Sequence, residues 1–180
     1  MSPAGAAGSV PRPLFDVVLH EPEIPNNTGN IGRTCVAVGC SLHLIHPLGF
    51  ELSEKACRRA GLDYWPRLRV HEHASWERYI DSAQRPTRRW FFTTKPGRSL
   101  FDVRLERGDA LVFGKETAGL PDSILAEHPD SRVSLPMIPG ERSLNLATAV
   151  CAAVYEGVRQ LLQRSELGLD AQGRLIPVPE

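Results

Sequence analysis

The amino-acid sequence predicts a three-layer α/β domain with a mainly parallel sheet. Short β-branched apolar runs alternate along the chain with amphipathic helical patterns, which is the order expected when helices cover both faces of a parallel sheet. Residues 109–114 (DALVFG) are entirely apolar between the Asp and the Gly, as is typical of a strand that is buried on both faces. There are no internal repeats and no linker to a second domain, so these elements belong to one unit.

Composition limits the class of protein. With 180 residues and 42% hydrophobic content, the chain can form one domain with a substantial core. The formal net charge is zero, so any contact with nucleic acid depends on local patches. No apolar run approaches the ~18 residues of a membrane helix. Residues 1–13 are rich in Ala, Gly and Pro and lack the regions of a signal peptide, which predicts a flexible tail.

The cysteines and histidines do not favour a metal site. Four cysteines occur without a CxxC pair or other ligand spacing: Cys35, Cys40, Cys57 and Cys151. Reduced thiols and a cytoplasmic location are therefore expected. Two histidine pairs fall in predicted strand segments without a cysteine or carboxylate at ligand spacing: His43 with His46, and His71 with His73. We expect no metal.

The first strand is predicted at residues 15–20 (FDVVLH), and a loop with two prolines and three asparagines follows it. Three residues of this loop can cap the next helix: Asn26, Asn27 and Thr28. The helix is predicted over residues 30–38, with Gly39 as its left-handed end. Arg33 is either a solvated surface charge or part of a ligand site, since ligands collect outside the carboxyl ends of strands in open α/β sheets.

The middle of the chain predicts further strands with helices between them. The expected strands are residues 41–46, a third entered at 67–70, residues 88–94 and residues 109–114. The expected helices are residues 53–60 with Ser53 as cap, an amphipathic segment from Ser75 (SWERYIDSA), and a short helix over 121–127.

Residues 131–163 form the last predicted unit, a strand, a loop and a helix. The strand is expected at 133–137, Pro139 and Gly140 break it, and Ser143 is the expected cap of the helix. The apolar face of this helix is Ala147, Val150, Cys151, Val154, Val158, Leu161 and Leu162. Such a unit either binds a polar ligand through backbone N–H groups or is a plain connection. Periodicity is lost in residues 165–180, which predicts a disordered or loosely docked tail after a single domain over 14–164.

Two familiar catalytic patterns are excluded. Residues 114–117 (GKET) are not a P-loop, because Asp109 stands where its first glycine would be and Glu116 follows Lys115. Ser143 lacks the G-x-S-x-G turn and an evident histidine base of a nucleophilic serine. What remains is a buried strand that ends in Gly114, where backbone can approach a ligand closely.

Three segments in order resemble the motifs of the SPOUT methyltransferases, RNA methylases with a knotted S-adenosylmethionine site. They are residues 21–35 (EPEIPNNTGNIGRTC), 113–121 (FGKETAGLP) and 135–150 (LPMIPGERSLNLATAV). The resemblance covers roughly residues 15–164 and implies a C-terminal trefoil knot, although chains in general do not knot. It is nearest to the subgroup that methylates the ribose 2′-oxygen of the wobble nucleotide of tRNA, C or U at position 34.

The resemblance implies residues for cofactor and chemistry. S-adenosyl-L-methionine would be bound by the ends of three strands and the start of the last helix: Phe92, Thr93, Gly114, Leu135, Ser143, Leu144 and Asn145. Arg33 matches the arginine at the reacting ribose, and since a guanidinium stays protonated we assign it positioning and charge stabilisation. Asn27 and Glu116 match orienting positions. Tyr155 is either a substrate residue or a core aromatic on the helix flank.

The expected function is 2′-O-methylation of tRNA at the wobble position, with leucine tRNA as the expected substrate. The alternatives are methylation of another tRNA or rRNA site, a non-catalytic RNA-binding module of the same fold, and a metal-independent nucleotide hydrolase. There is no separate RNA-binding domain, so tRNA would dock on the catalytic domain and its partner in a homodimer. The candidate phosphate contacts are Arg58, Arg59, Arg67, Arg69, Arg85, Arg88 and Arg89.

Overall fold

The computed structural model describes residues 12–52, 61–82, 86 and 88–177. Its strands are β1 Asp16–His20, β2 Ser41–Ile45, β3 Arg69–His73, β4 Arg89–Phe92, β5 Arg98–Ser99, β6 Ala110–Phe113, β7 Arg132–Ser134, β8 Leu167–Leu169 and β9 Leu175–Pro177. Its α-helices are α1 Pro25–Val38, α2 Trp76–Ile80, α3 Asp122–Glu127 and α4 Leu146–Gln163. The helix expected at 53–60, the first eleven residues, and Arg58, Arg59 and Arg85 lie outside the described residues.

Seven strands form one sheet in the order β3-β2-β1-β6-β4-β7-β5, and every pair in it is parallel. The predicted parallel α/β sheet is confirmed. The central strand β1 is buried along its whole length, with Leu19 in register with Leu44 on one side and Phe113 on the other. The two-residue strand β5 was not predicted, because so short a segment carries no periodicity.

Alternate residues of the strands supply two separate cores. Val17 and Leu19 point to the face that packs against α1 and α4, whereas Val18 and Ile45 belong to the cluster formed with α2 and α3. These are the three layers that the alternation of strands and helices predicts. Among the described residues, no helix has the length and apolar character needed to cross a bilayer.

The first helix begins five residues earlier than predicted. Pro25 is its first residue and Ile24 its N-cap, without a side-chain cap bond. Proline suits this position because its φ is already helical and its missing N–H would have no intrahelical partner. The three predicted caps, Asn26, Asn27 and Thr28, therefore lie inside the helix. The predicted end is confirmed, since Gly39 has φ 76° and ψ 30°.

The last helix is capped by Asn145, so the prediction of Ser143 as cap is wrong. The Asn145 side-chain oxygen accepts hydrogen bonds from the backbone N–H groups of Ala147 at 2.9 Å and Thr148 at 3.2 Å. Ser143 lies two residues earlier, in the loop that leads to the helix. The resulting phase buries Val150 and Val154 against the sheet.

A buried amide fastens the last helix to the loop before β6. The Gln160 side-chain oxygen accepts from the N–H of Leu105, and its amide nitrogen donates to the carbonyl of Val103, both at 2.9 Å. Arg164 adds a hydrogen bond at 2.6 Å to the Leu105 carbonyl. The C-terminal part of the chain is thus attached to a segment about 55 residues earlier.

The C-terminal segment is ordered as a hairpin, where the sequence predicted a disordered or loosely docked tail. Strands β8 and β9 pair antiparallel, with Leu169 in register with Leu175. Leu167 is buried in the main core, and the Arg107 guanidinium donates to the carbonyl of Glu166. A three-residue strand with one buried leucine is too short to produce a recognisable pattern in the sequence.

Candidate active site

A cavity of about 540 Å³ lies at the carboxyl edge of the sheet. All seven residues predicted to bind the cofactor line it: Phe92, Thr93, Gly114, Leu135, Ser143, Leu144 and Asn145. They come from the ends of β4 and β6, the segment after β7, and the loop before α4. The orienting residues Asn27 and Glu116 line the same cavity. Parallel strands place their carboxyl ends at one edge, which is why segments far apart in sequence meet here.

One wall of the cavity is backbone that can carry no side chain. A Cβ built on Gly114 would lie 2.0 Å from the carbonyl carbon of Gly119, so the two segments touch at this point. An antiparallel bridge between Lys115 and Gly119 closes the turn, and Gly119 has φ 71°, in the left-handed region. This loop therefore presents N–H and C=O groups to a ligand.

Aromatic rings supply an apolar surface beside this backbone. Phe92 and Phe113 stack with ring centroids 4.4 Å apart and an interplanar angle of 14°. Both rings are largely buried and both residues line the cavity. The cavity thus combines a flat apolar surface with main-chain polar groups, a composition that suits a planar heterocycle with polar edges.

A chain of hydrogen bonds joins one residue from each of the three motif segments. The Asn145 amide nitrogen donates to the Asn27 side-chain oxygen at 2.9 Å, and the Asn27 amide nitrogen donates to a Glu116 carboxylate oxygen at 2.9 Å. Each amide therefore uses its oxygen as an acceptor and its nitrogen as a donor. These hydrogen bonds hold the first turn of α1, the loop after β6 and the start of α4 in one arrangement, which is what an orienting role requires.

Glu116 also completes the start of α1. Its carboxylate accepts from the backbone N–H of Glu23 at 2.8 Å and from that of Ile24 at 3.2 Å. A negative charge near a helix N-terminus is favourable, because the N–H groups there carry partial positive charge. Glu116 thus supplies, from 92 residues away, the cap that α1 does not make itself.

The lysines that line the cavity are already paired. Lys115 contacts Glu21 at 2.9 Å, and this hydrogen bond and charge raise the pKa of Lys115 above its usual value. Lys95 pairs with Asp122, and that contact lowers the pKa of the Asp122 carboxyl. Lys115 is therefore held in the protonated form and is not placed to act as a base near neutral pH.

Several other residues line the cavity without having been predicted, among them Met137, Lys95 and Arg142. Arg142 is exposed and makes no ion pair or side-chain hydrogen bond within the described residues. The available signal was its place in the third motif segment, directly before Ser143.

Arg33 is not among the residues that line this cavity. It is exposed, and its guanidinium carbon lies 4.7 Å from the centroid of the Tyr64 ring. It lines a second cavity, of about 310 Å³, on the outer side of α1. Arg33 follows Asn27 by six residues, about 9 Å along the helix and on a different face. The two parts of the predicted active site are therefore separate within one chain.

Tyr155 lies on the outer side of α4 and is 50% exposed, so its interpretation as a core aromatic is wrong. The exposed residues of α4 form one stripe: Thr148, Ala152, Tyr155, Arg159 and Gln163. Their spacing of three and four residues places them on a single face. A half-exposed tyrosine in the centre of this face is available to a partner or substrate.

The candidate phosphate contacts differ in how far their charge is already used. Arg88 forms ion pairs with Glu106 at 2.7 Å and Asp109 at 3.2 Å, which makes it the weakest candidate. Arg89 donates to the carbonyl of Pro86 at 3.4 Å, and Arg67 is exposed. Arg69 donates to the carbonyl of Gly39 at 3.1 Å. Arg67 and Arg89 are the described candidates best able to meet a phosphate.

The fold and the cavity have counterparts among known proteins. The family model for SpoU rRNA methylases matches residues 15–155, which include all three motif segments and the first part of α4. The chain belongs to the SpoU rRNA methylase family. Membership implies the knotted C-terminal segment, and the position of β7 between β4 and β5 is consistent with it.

Two named relatives are 45–50% identical to this chain over most of its length. A tRNA (cytidine(34)-2'-O)-methyltransferase of Saccharophagus degradans is 50% identical over 149 residues, 82% of this chain and 96% of the relative. The enzyme of the same name from Escherichia coli K12 is 45% identical over 149 residues, 82% of this chain and 94% of the relative. These matches span almost the whole of each relative.

Solved structures of SpoU-type proteins are also similar. One, from a study of the 2-OH methylation of C/U34 on tRNA, has a TM-score of 0.77 and 45% identity, covering 83% of this chain and 97% of that chain. The SpoU methyltransferase AviRb of Streptomyces viridochromogenes, in complex with AdoMet, has a TM-score of 0.73 and 25% identity, covering 89% of this chain and 63% of that chain.

Proposed function

We propose that this protein transfers a methyl group from S-adenosyl-L-methionine to the ribose 2′-hydroxyl of the wobble nucleotide of tRNA, in the cytoplasm. The observation that carries the proposal is the single cavity of about 540 Å³ in which all seven expected cofactor residues meet. Relatives at 45% and 50% identity bear the name of this activity. Methylation of another tRNA or rRNA site, and RNA binding without catalysis, remain outcomes of the test.

The residues present fit the proposed cofactor. The stacked pair Phe92 and Phe113 offers a surface for a purine ring, and the wall at Gly114 leaves backbone groups accessible to its edges. Leu135 and Leu144 add apolar contacts. When bound, the cofactor would supply an activated methyl group: the bond from the methyl carbon to sulfur would break as the bond to the 2′-oxygen forms, S-adenosylhomocysteine would leave, and the hydroxyl proton would pass to solvent. This displacement needs no metal.

The role of the protein is to align the two reactants and stabilise charge on the ribose oxygen. Asn27, Glu116 and Asn145 hold the first turn of α1, the loop after β6 and the start of α4 in place through their hydrogen bonds. Arg33 stabilises the developing negative charge, because its guanidinium is a permanent cation with several donors. Alignment of reacting groups contributes much of the rate in such displacements.

A homodimer would bring the separated parts together. Arg33 and the cofactor cavity lie apart in one chain, and a second copy could place its Arg33 beside the cavity of the first. Large apolar side chains are exposed around the cavity and on α4: Ile24 at 44%, Ile138 at 72%, Leu144 at 43% and Tyr155 at 50%. Light scattering at micromolar concentration should give the mass of two chains, and a monomer would contradict this part of the proposal.

Mixing two inactive variants tests whether the site is shared. Arg33→Ala lacks the charge-stabilising group, and Leu135→Trp would fill the cofactor cavity. Suppose that each active site combines Arg33 of one chain with the cofactor cavity of the other. Random exchange of subunits then makes about half of the dimers heterodimers, and each heterodimer has one intact site of its two. The mixture should therefore show about a quarter of the wild-type activity. A mixture as inactive as its components would show that each chain forms its own site.

Cofactor binding and methyl transfer are measured separately. Calorimetry with S-adenosylmethionine or S-adenosylhomocysteine, without added metal, should show binding. Single-turnover methylation of unmodified leucine tRNA with C or U at the wobble position should then modify that ribose, located by mass spectrometry. The same assay on total RNA identifies another site if there is one. Absence of cofactor binding at millimolar concentration would end the methyltransferase proposal, and tRNA binding without cofactor binding would favour the non-catalytic module.

A further inference from the structure

The second cavity contains a buried polar atom that has no partner. Thr28 is 1% exposed, it lines this cavity of about 310 Å³, and its hydroxyl oxygen makes no hydrogen bond within the described residues. A helical threonine commonly bonds to the carbonyl four residues earlier, but the Ile24 carbonyl already accepts from the N–H groups of Asn27 and Thr28. A buried hydroxyl left unpaired costs stability. An unpaired buried polar group in a native structure has a specific cause, and at a cavity wall that cause can be a ligand that completes the hydrogen bond.

The opposite wall is aromatic and held firmly against α1. Trp65 and Phe50 line the cavity, and both are only partly buried. A Cβ on Gly32 would come within 3.0 Å of the Trp65 ring, so helix and indole are in direct contact. The neighbouring Tyr64 donates its hydroxyl proton to the Gly29 carbonyl. The cavity is therefore preformed.

The charges around this cavity favour a nucleobase over a bare phosphate. Among the described residues that line it, Arg33 and Glu51 carry opposite charges, so this part of the lining has no net positive charge. Proteins recognise single-stranded RNA by stacking splayed-out bases on aromatic or guanidinium planes and by hydrogen bonding to their edges. Phe50 and Trp65 provide the planes, and the Thr28 hydroxyl provides an edge contact.

We infer that this cavity binds the base of the nucleotide whose ribose is methylated, with Arg33 placed at the ribose and the Thr28 hydroxyl at the base edge. The inference rests on the proposed function and extends it to recognition of the substrate. It gives Arg33 a position at the rim of a base-binding site, which is where a residue that stabilises the ribose oxygen has to be.

The Thr28→Val substitution tests whether the Thr28 hydroxyl binds a ligand or has only a structural role. The change keeps the shape and removes the unpaired hydroxyl, so the melting temperature should stay equal or rise. The KM for tRNA should nevertheless rise about fivefold, the effect of one lost hydrogen bond, while cofactor affinity is unchanged. A higher melting temperature with an unaltered KM would overturn the inference.

Phe50→Leu tests the stacking surface. The KM for tRNA should rise about tenfold, because stacking of a base on an aromatic side chain is lost. Phe101→Leu is the matched control, since Phe101 is 64% exposed and lies outside both cavities. Equal KM values for the two variants would contradict the stacking role.

An RNA that lacks the base of the wobble nucleotide tests whether the cavity binds that base. In an anticodon stem-loop, removing that base should raise the KM of the wild-type protein about tenfold, and Phe50→Leu should add nothing further. Independent, multiplying effects would mean that the cavity does not hold this base. If the wild-type protein methylates no RNA, the proposed function fails; if it methylates tRNA and the variants keep its KM, only this inference fails.

Discussion

The two cavities differ in how their polar groups are satisfied. Around the cofactor cavity, Glu116 and Lys115 have partners within the protein before any ligand arrives. In the cavity beside α1, the Thr28 hydroxyl has no hydrogen-bond partner and Arg33 has only an aromatic contact within the part of the chain that the structure describes. Around the cofactor cavity, the paired side chains fix the loops so that backbone groups can bind a ligand. In the cavity beside α1, the side-chain donors are available for a ligand. Substitutions in the two places should therefore change different measured quantities.

The largest expected effect is that of Arg33→Ala. Methyl transfer should fall by about 10²–10³, equal to about 2.7–4 kcal/mol for the loss of one charge-stabilising donor. Cofactor affinity should be nearly unchanged, because Arg33 does not line the cofactor cavity. The measurements are single-turnover methylation and calorimetry.

Arg33→Lys is the matched variant, because it keeps the positive charge and removes the planar guanidinium. It should restore little activity, since an ammonium lacks the planar donor arrangement of a guanidinium. Wild-type rates for Arg33→Ala would show that Arg33 is a surface charge.

Glu116→Gln should come next, with effects on stability and on the cofactor. The carboxylate accepts three hydrogen bonds, from Glu23, Ile24 and Asn27. The amide nitrogen of glutamine cannot accept a hydrogen bond, so at least one of the three donors loses its partner. This loss should reduce the free energy of unfolding by about 1–3 kcal/mol. We expect a lower urea midpoint and about tenfold weaker cofactor binding. If both stay at wild-type values, the hydrogen-bond chain has no structural role.

Asn145→Ala and Ser143→Ala form a matched pair at the start of α4. Asn145→Ala removes the cap and the bond to Asn27, which should lower stability by about 1 kcal/mol. Ser143→Ala should change stability by less than about 0.5 kcal/mol, because Ser143 is not the cap. It can weaken cofactor binding only through a direct hydrogen bond. A larger loss of stability for Ser143→Ala would contradict the observed helix start.

The smallest expected effect is on pH dependence, and it lies away from both cavities. The His73 and His43 rings share a hydrogen bond of 3.0 Å. Burial, together with the charges of His43 and His71, lowers the pKa of His73 to about 4. Because this folded-state pKa is below the unfolded value of about 6.5, the stabilisation is complete above pH 6.5 and is lost as the pH falls toward 4. Urea unfolding between pH 7.5 and 4.5 measures it, and His73→Gln should flatten the slope. An unchanged slope would assign the acid sensitivity to other groups.

Much of the fold could be predicted because strands and buried helix faces leave a periodic signal. The end of α1 at Gly39, and the meeting of the seven proposed cofactor residues in one cavity, needed only local motifs and a resemblance. The choice between Ser143 and Asn145 as cap was not decidable by residue type, since both are good caps and the loop path after Gly140 decides. The start of α1 was missed although Pro25 was a signal for it.

The location of Arg33 could not be predicted for a different reason. A motif states that residues belong to one site but not that they belong to one chain. Asn27 and Arg33 stand in the same segment, yet the helix turns them to different cavities. Only coordinates could reveal that the predicted site divides between two places on the surface.

The cap that Glu116 gives to α1 also bears on how the chain folds during synthesis. During synthesis, β1 and most of α1 can form early, because they lie near the N-terminus. The backbone N–H groups at the start of α1 lack the Glu116 carboxylate as their acceptor until residue 116 has left the ribosome. The loops at residues 21–24 and 115–117 can close only together. The ligand-binding edge should therefore be the last part of the domain to become resistant to a protease in a nascent chain, after the central strands are already protected.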